Sequence, residues 1–407
     1  MTSLLQKKQN THSLQASFQV SYHYPVTFTT GVFDCDNPAL AQTLCAREPE
    51  KQHRVLVLVD KGVATRTPQL AAQWKRYAEH YRHSIDSCGE PIVVPGGERA
   101  KDDPFLQQRL SSYIEEHGID RHSFVIAIGG GAMLDAVGLA AATAHRGVRL
   151  IRMPTTVLAQ NDAGIGVKNG VNRFGQKNWY GTFAPPFAVI NDDQFLDTLN
   201  SVDRRAGMAE AVKVALIRDA AFFNWIEANT QSLARFDKPA VNQLIERCAQ
   251  LHLQQITQAG DPFETGTARP LDFGHWAAHR LEKMTRHEVS HGDAVAIGIA
   301  LDSRYAQLSG RLDANSLERI INVLEALQFP LDHPAMFELD EQNGRALFTG
   351  LDDFQRHLGG QLSITLLTGI GESCEVHDID RHILEHALTL TQTQVQTQTQ
   401  TDLRQCA

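Results

Sequence analysis

Cysteine is sparse in this chain and never closely spaced. Cys35, Cys45, Cys88, Cys248, Cys374 and Cys406 are scattered with no Cys-x-x-Cys pair. That argues against disulfides, suits a reducing compartment, and turns any metal site toward histidine and carboxylate ligands. Long apolar runs are missing as well. Nothing approaches the length of a membrane span, and the opening residues, MTSLLQKKQNTHSLQ, lack the apolar core of a signal peptide. The expectation is a cytoplasmic protein with no membrane partner. Nor is there an excess of basic charge: 38 Lys and Arg stand against 47 Asp and Glu, which disfavours a nucleic-acid or anionic-membrane surface and fits a soluble enzyme.

What is present is length and apolar content. At 407 residues, 42% of them hydrophobic, the chain exceeds the usual size of a single core and predicts two domains. The strand RVLVLVD, ending in Asp60, is followed by a helical stretch, the strand PIVV and a Gly-Gly-Glu turn at 96–98. Then comes the apolar strand SFVIAIGGG, which runs straight into a small-residue helix. Near-continuous apolar strands alternating with helices indicate a parallel sheet covered on both faces. A strand at 148–153 opens a stretch, 145–183, that otherwise reads as a long Gly- and Asn-rich loop. Beyond 190–200 the pattern turns helical, with Asp203 as a candidate cap, until the strand QLSITLLTG and a terminal helix. The expected division is a disordered segment over 1–20, a nucleotide-binding α/β domain over 21–195, a mainly α-helical domain over 196–390, and a low-complexity tail over 391–407.

Two clusters carry chemistry. Gly129, Gly130 and Gly131 would let a pyrophosphate approach the backbone at a helix N-terminus, with Asp60 placed to hold a ribose hydroxyl. Glycine also serves tight turns for geometry alone, and Asp60 is equally a helix cap. In the second cluster, His275 and His279 stand four apart on one helical face, and His291 follows in a Ser-His-Gly-Asp turn. Among 18 histidines such a pair is more often partly exposed or hydrogen-bonded packing than a pair of ligands. The same openness attaches to Lys168, Lys177 and Asn178, which fit either a phosphate site or solvated turns, and to the i,i+3 pair Glu210 and Lys213.

Taken together the motifs resemble the dehydroquinate synthase-like sugar phosphate cyclases, over about residues 50–380. They are GGExxK at Gly96 to Lys101, GGGxxxD at Gly129 to Asp135, RGVR at Arg146 to Arg149, PTT at Pro154 to Thr156, and D-x5-K at Asp162 to Lys168. Then come KN at Lys177 and Asn178, GMAExxK at Gly207 to Lys213, FGHxxxH at Phe273 to His279, and HGDAVAIG at His291 to Gly298. The resemblance implies an α/β NAD-binding domain followed by a helical domain, an active site in the cleft between them, and a homodimer. It implies a divalent metal, usually zinc with cobalt as the alternative, on Glu210, His275 and His291. It places NAD against Asp60, Glu98, Lys101, Gly130, Gly131, Asp135, Thr155, Thr156 and Lys177. A sugar phosphate substrate would meet Arg146, Asp162, Lys168, Asn178, Lys213, Asp272, His279 and Arg356. The implied reaction oxidises a ring alcohol with NAD, eliminates phosphate, returns the hydride and closes a carbocycle by an aldol step.

Departures from the pattern bear on the substrate. Where dehydroquinate synthases place a Lys and an Arg against a carboxylate, this chain has Gln254 and Ala268, with Arg269 one residue late, and Asp272 stands where they have Asn. An Asp there would repel a carboxylate and accept hydrogen bonds from sugar hydroxyls. The combination resembles the branch that cyclises sedoheptulose 7-phosphate, although that branch commonly lacks a second helical histidine, kept here as His279. The expected substrate is therefore a phosphorylated ketose without a carboxylate, with 3-dehydroquinate synthase and a metal-dependent polyol dehydrogenase as the alternatives.

Overall fold

The structure, a computed structural model, describes residues 13–258, 262–263, 270–357 and 360–392. The expected mobile ends fall largely outside these residues, as do Ala268 and Arg269.

A seven-stranded parallel sheet forms the first lobe. Its strands are β1 (Val26–Thr29), β2 (His53–Asp60), β3 (Ile85–Ser87), β4 (Ile92–Val94), β5 (Phe124–Gly129), β6 (Arg149–Pro154) and, after an insertion, a strand at Ala188–Asp192. The insertion holds β7 (Lys168–Arg173) and β8 (Gln176–Phe183), so the strand that re-enters the sheet is β9. The order is β1-β9-β6-β5-β2-β3, with β4 also paired to β2. Period-two alternation explains why these strands read as apolar throughout. In β2, Val55, Val57 and Val59 face one core with Trp74 and Tyr77, while Leu56 and Leu58 face the other with Leu110 and Leu134. β5 divides the same way, Phe124, Ile126 and Ile128 against Val125 and Ala127. From β2 the chain moves outward to β3, whereas from β5 it moves the other way to β6. The carboxyl ends of β2 and β5 therefore flank a topological switch point, where ligands bind in open α/β sheets.

The second lobe is helical and encloses the largest core. The helices that matter for the site are α1 (Gly131–Thr143), in the first lobe, and α2 (Ser201–Arg218), α3 (Lys238–Gln258), α4 (His275–Met284) and α5 (His291–Leu308), in the second. No helix among the described residues is long and apolar enough to cross a membrane.

Three local expectations need correction. Residues 145–183 are not one loop: 159–163 form a π-helical turn, and β7 and β8 pair as an antiparallel hairpin. Its strands, KNGVNR and QKNWYGTF, are rich in Asn and Gly and leave β8 largely exposed, so they carry no apolar alternation. The cap of α2 is Asn200, whose side chain accepts from Asp203 N at 2.8 Å. The last strand, β10 (Ile364–Gly369), is followed by an antiparallel partner, β11 (Glu372–Val376), before the final helical run at 381–392.

Candidate active site

The carboxyl ends of β2, β5 and β6 meet at a patch kept open by glycine. A Cβ at Gly96 would stand 1.7 Å from Asp60 Oδ2, one at Gly129 would stand 3.0 Å from Asp60 Cβ, and one at Gly131 would stand 2.9 Å from Ala163 Cβ. Asp60 performs the capping role, its Oδ1 accepting from Gly62 N at 2.6 Å, and burial pushes its carboxyl up. Gly130 is the extended residue before α1, whose N-terminal amides thus face the patch. Thr155 donates its amide to Gly129 O at 3.0 Å, which binds the end of β6 to the end of β5, and Thr156 Oγ1 accepts from Ala159 N at 3.1 Å.

A polar network extends from this patch into the hairpin. Lys101 is 2% exposed, pairs with Asp135 at 3.0 Å, and bonds Asn178 Oδ1. Asn172 donates to Glu98 at 3.3 Å and to Asp102 at 3.0 Å, while its own Oδ1 accepts from Asn178 N at 2.8 Å. Asn178 takes a positive φ of 54° to make that contact. Burial works to raise Glu98, and the ammonium groups of Lys101 and Lys177 outweigh it and hold the carboxyl low. Below the hairpin, Arg152 is fully buried in β6 and donates to the carbonyls of Gly164, Gly166 and Lys168 and to Asn169 Oδ1, at 2.7–3.2 Å. One side chain thereby fixes the segment that presents Asp162 and Lys168.

The second cluster is assembled by helices pressed together backbone to backbone. A Cβ at Gly207 of α2 would stand 2.2 Å from Leu158 N, one at Gly292 of α5 2.3 Å from Ala206 Cα, and one at Gly298 of α5 2.0 Å from the carbonyl oxygen of Gly274, which precedes α4. Gly292 and Gly298 are thus the contacts that let α2, α4 and α5 converge, while Gly207 seats α2 against the 157–158 segment that follows β6. Glu210, His275 and His291 meet there, with one donor atom of each within 4.8 Å of the others. Glu210 Oε1 lies 3.5 Å from His275 Nε2 and 3.4 Å from His291 Nε2.

These residues fit a divalent cation. Bonds of about 2.0–2.1 Å arranged tetrahedrally put neighbouring ligands about 3.4 Å apart. Glu210 is 1% exposed, and neither of its carboxylate oxygens takes a well-aligned hydrogen bond, although Lys213 is ion-paired with it. A buried carboxylate short of donors, facing two imidazoles, calls for positive charge. The outer nitrogens of both rings are already engaged: His275 Nδ1 lies 3.1 Å from Phe273 O, and His291 Nδ1 lies 3.3 Å from Glu282 Oε1. That assigns protons to Nδ1 and leaves the Nε2 lone pairs turned inward. Without a cation, the carboxylates of Glu282 and Glu210 push His291 up to about 9 against the effect of burial, so a cation taking its Nε2 would displace a proton. Burial likewise opposes charge on Lys213, which Glu210 and Asp162 restore.

The other expected residues divide. His279 lies beside the cluster, its ring centroid 5.3 Å from that of His275. Its side chain is exposed, and desolvation together with the charges of His275 and Lys177 holds it well below its ordinary range. Asp162 and Asp272 both act electrostatically on Lys213. Lys168 is exposed at the start of β7. Two arginines are not gathered in. Arg146 is exposed on a turn with φ 62°, and Arg356 is exposed and bonded within its own helix to Asp353 and to Asp352 O.

Two residues at the site were not singled out in the sequence. His252 of α3 holds Asp162 Oδ1 at 2.8 Å. Glu282, 4% exposed, spans from His291 to Lys177, whose Nζ lies 3.2 Å from Oε1. A signal for Glu282 existed, since it stands three residues beyond His279 and seven beyond His275 on one helical face. None existed for His252, which reaches the site only through tertiary packing.

Residues 91–206 match the family model for the 3-dehydroquinate synthase N-terminal region, and residues 207–347 match that for the C-terminal region. A 2-epi-5-epi-valiolone synthase of Streptomyces glaucescens is 33% identical over 373 residues, covering 90% of each chain. A 3-dehydroquinate synthase of Shewanella frigidimarina is 32% identical over 323 residues, 77% of this chain and 86% of the other. Among solved structures, the 2-epi-5-epi-valiolone synthase of Streptomyces hygroscopicus subsp. jinggangensis 5008, with NAD+ and Zn2+ bound, superposes with a TM-score of 0.82 at 30% identity, covering 94% of this chain and all of that one. A 2-deoxy-scyllo-inosose synthase at 21% identity and a TM-score of 0.71 shares the fold.

Proposed function

Because this chain belongs to the 3-dehydroquinate synthase family, we propose that it is a metal- and NAD-dependent sugar phosphate cyclase acting on a phosphorylated ketose without a carboxylate, of the sedoheptulose 7-phosphate kind. The observation that carries the proposal is the convergence of Glu210, His275 and His291 in the helical lobe, joined through Glu282 to Lys177 of the hairpin, whose next residue, Asn178, binds the Lys101–Asp135 pair beside the strand ends. Glu210, His275 and His291 would hold zinc or cobalt. Asp60, Glu98, Lys101, Gly130, Gly131, Asp135, Thr155, Thr156 and Lys177 would hold NAD.

When bound, the cation would polarise a ring alcohol, and the dinucleotide would take a hydride from that carbon and return it within the same turnover, with no net redox change. The chain's own groups supply the rest. Lys213, kept charged by Glu210 and Asp162, places fixed positive charge beside the reacting oxygens. Lys168 and Asn178 would hold the phosphate until it leaves. His279, next to the triad, is placed to accept a proton from the substrate. Asp272 and the Asp162–His252 pair offer acceptors and a ring nitrogen to sugar hydroxyls.

The substrate assignment is supported by neutral Gln254 at a position where a carboxylate-binding Lys is expected, and by the likeness to two valiolone synthases. The test is incubation with NAD and zinc or cobalt, separately with sedoheptulose 7-phosphate and with the carboxylate-bearing heptulosonate phosphate, following phosphate and NADH. Phosphate from the first alone, without NADH, is expected. Phosphate from the second alone would favour 3-dehydroquinate synthase, a reading that the similarity to that enzyme of Shewanella keeps in view; loss on Arg269→Ala would then identify its carboxylate anchor. Stoichiometric NADH would make the protein a polyol dehydrogenase.

A further inference from the structure

We propose that Glu282 is a positioning residue that makes cation binding and dinucleotide binding reinforce each other. The inference rests on the functional reading above and adds a device to it. Glu282 lies in α4 of the helical lobe, and its buried carboxylate touches one group from each side of the cleft. On one side, Oε1 lies 3.3 Å from His291 Nδ1, while Nε2 of the same ring faces Glu210. On the other side, Lys177 Nζ, carried by β8 of the sheet lobe, lies 3.2 and 3.4 Å from the two carboxylate oxygens.

Each contact has a distinct consequence. A carboxylate on the outer nitrogen of a ligand histidine fixes its tautomer, aims the inner lone pair and raises its donor strength, and losing it typically weakens metal binding by about 10–100-fold. Lys177 directly precedes Asn178, whose Oδ1 binds Lys101, the partner of Asp135 in the dinucleotide patch. Glu98 and Asp135, both in the patch network, act on the Lys177 ammonium group together with Glu282. A dinucleotide that orders the patch and the hairpin would thereby hold Lys177 on Glu282, and Glu282 on His291. Thermodynamic linkage makes the effect mutual: if NAD tightens zinc, zinc must tighten NAD by the same factor.

The experiment uses the metal-stripped full chain. Zinc affinity is measured by competition with a chromophoric chelator, with and without saturating NAD. NAD affinity is measured with and without zinc, and the visible absorption of bound cobalt reports ligand geometry. The parent should show a coupling factor of about 5–150, equal in both directions. Glu282→Gln should weaken zinc by about 10–100-fold, alter the cobalt spectrum and reduce the coupling factor to 1. Lys177→Met leaves the Glu282–His291 contact in place, so, measured at NAD concentrations that saturate the variant, it should still bind zinc and lose the coupling; the inference thus remains testable should Glu282→Gln fail to fold.

A parent that binds zinc and NAD with no mutual effect overturns the inference alone, as does a Glu282→Gln variant that keeps the coupling or merely unfolds more easily with an unchanged cobalt spectrum. A parent that binds neither overturns the functional reading and the inference together.

Discussion

Replacing Gly292 by Ala tests whether the metal triad depends on how closely α5 docks on α2. Gly292 is helical and has no positive φ, so its backbone accepts Ala, and helix propensity alone would make the change stabilising by about 1 kcal/mol. Packing opposes this. The new Cβ would lie 2.3, 2.4 and 2.7 Å from Cα, O and C of Ala206, all backbone atoms that no rotamer change can move aside. Reaching a carbon contact distance of about 3.5 Å requires the start of α5 to retreat by about 1 Å. Overpacking of this kind costs about 1–3 kcal/mol, so the net effect is a loss of up to about 2 kcal/mol. The site should suffer more than the fold. His291 is the neighbouring residue, and ligand distances must hold to about 0.2 Å, so zinc affinity should fall by at least about 10-fold. Urea unfolding of the metal-free chain, followed by circular dichroism, gives the first quantity, and chelator competition gives the second. A variant more stable than the parent and equal to it in zinc affinity would refute the packing argument.

Glu210→Gln keeps the volume but removes the charge that pairs with Lys213; zinc affinity should drop by more than the ~10–100-fold typical of an outer contact, read as metal content after dialysis. Arg152→Met should cost on the order of 3 kcal/mol in urea unfolding, because it strips donors from three carbonyls and Asn169 in a buried place; a loss well below 1 kcal/mol would show that the 159–169 segment holds itself. Asp302 accepts from Trp276 Nε1 at 2.9 Å and Gly274 N at 3.1 Å, and burial pushes it up to about 7 from 3.8. The folded chain keeps this proton where the unfolded chain has lost it, so the stabilisation is complete below about pH 4 and is lost as pH rises through about 7, roughly 4 kcal/mol in all. Asp302→Asn should flatten that decline in metal-free protein; urea profiles that run parallel for parent and variant across this range would contradict it.

The sheet and its switch point were legible because buried strands must be apolar on both faces, and β2 and β5 are. The triad was legible through its motif neighbours, of which Gly292 and Gly298 turn out to be contacts between the helices that carry it. The β7–β8 hairpin was not, since its strands bury polar side chains such as Asn169 and Asn172 and stabilise through hydrogen bonds that hydropathy does not register. Arg146 carried the weight of its RGVR motif and Arg356 came only with the family resemblance; the structure leaves both exposed and away from the cluster. His252 lies 90 residues of chain beyond its partner Asp162, and nothing local in α3 anticipates that meeting.

The pairing of β1 with β9 has a consequence for synthesis on the ribosome. Within this sheet β1 is the first strand to be made among the described residues, yet its neighbour is the last, and Gly31 N, just beyond β1, bonds Asp192 Oδ1 across 161 residues of chain. At about 5–20 residues per second, β1 waits roughly 8–30 s for that partner. In the last part of this interval, once β6 has been made, β6 is the free edge of the sheet, and the apolar residues of β9 will cover it only after the intervening hairpin has been made. The vulnerable species during production is therefore a nascent chain stalled between residues 154 and 188. Slowing translation within that window should lower the soluble yield more than slowing it anywhere in the helical lobe.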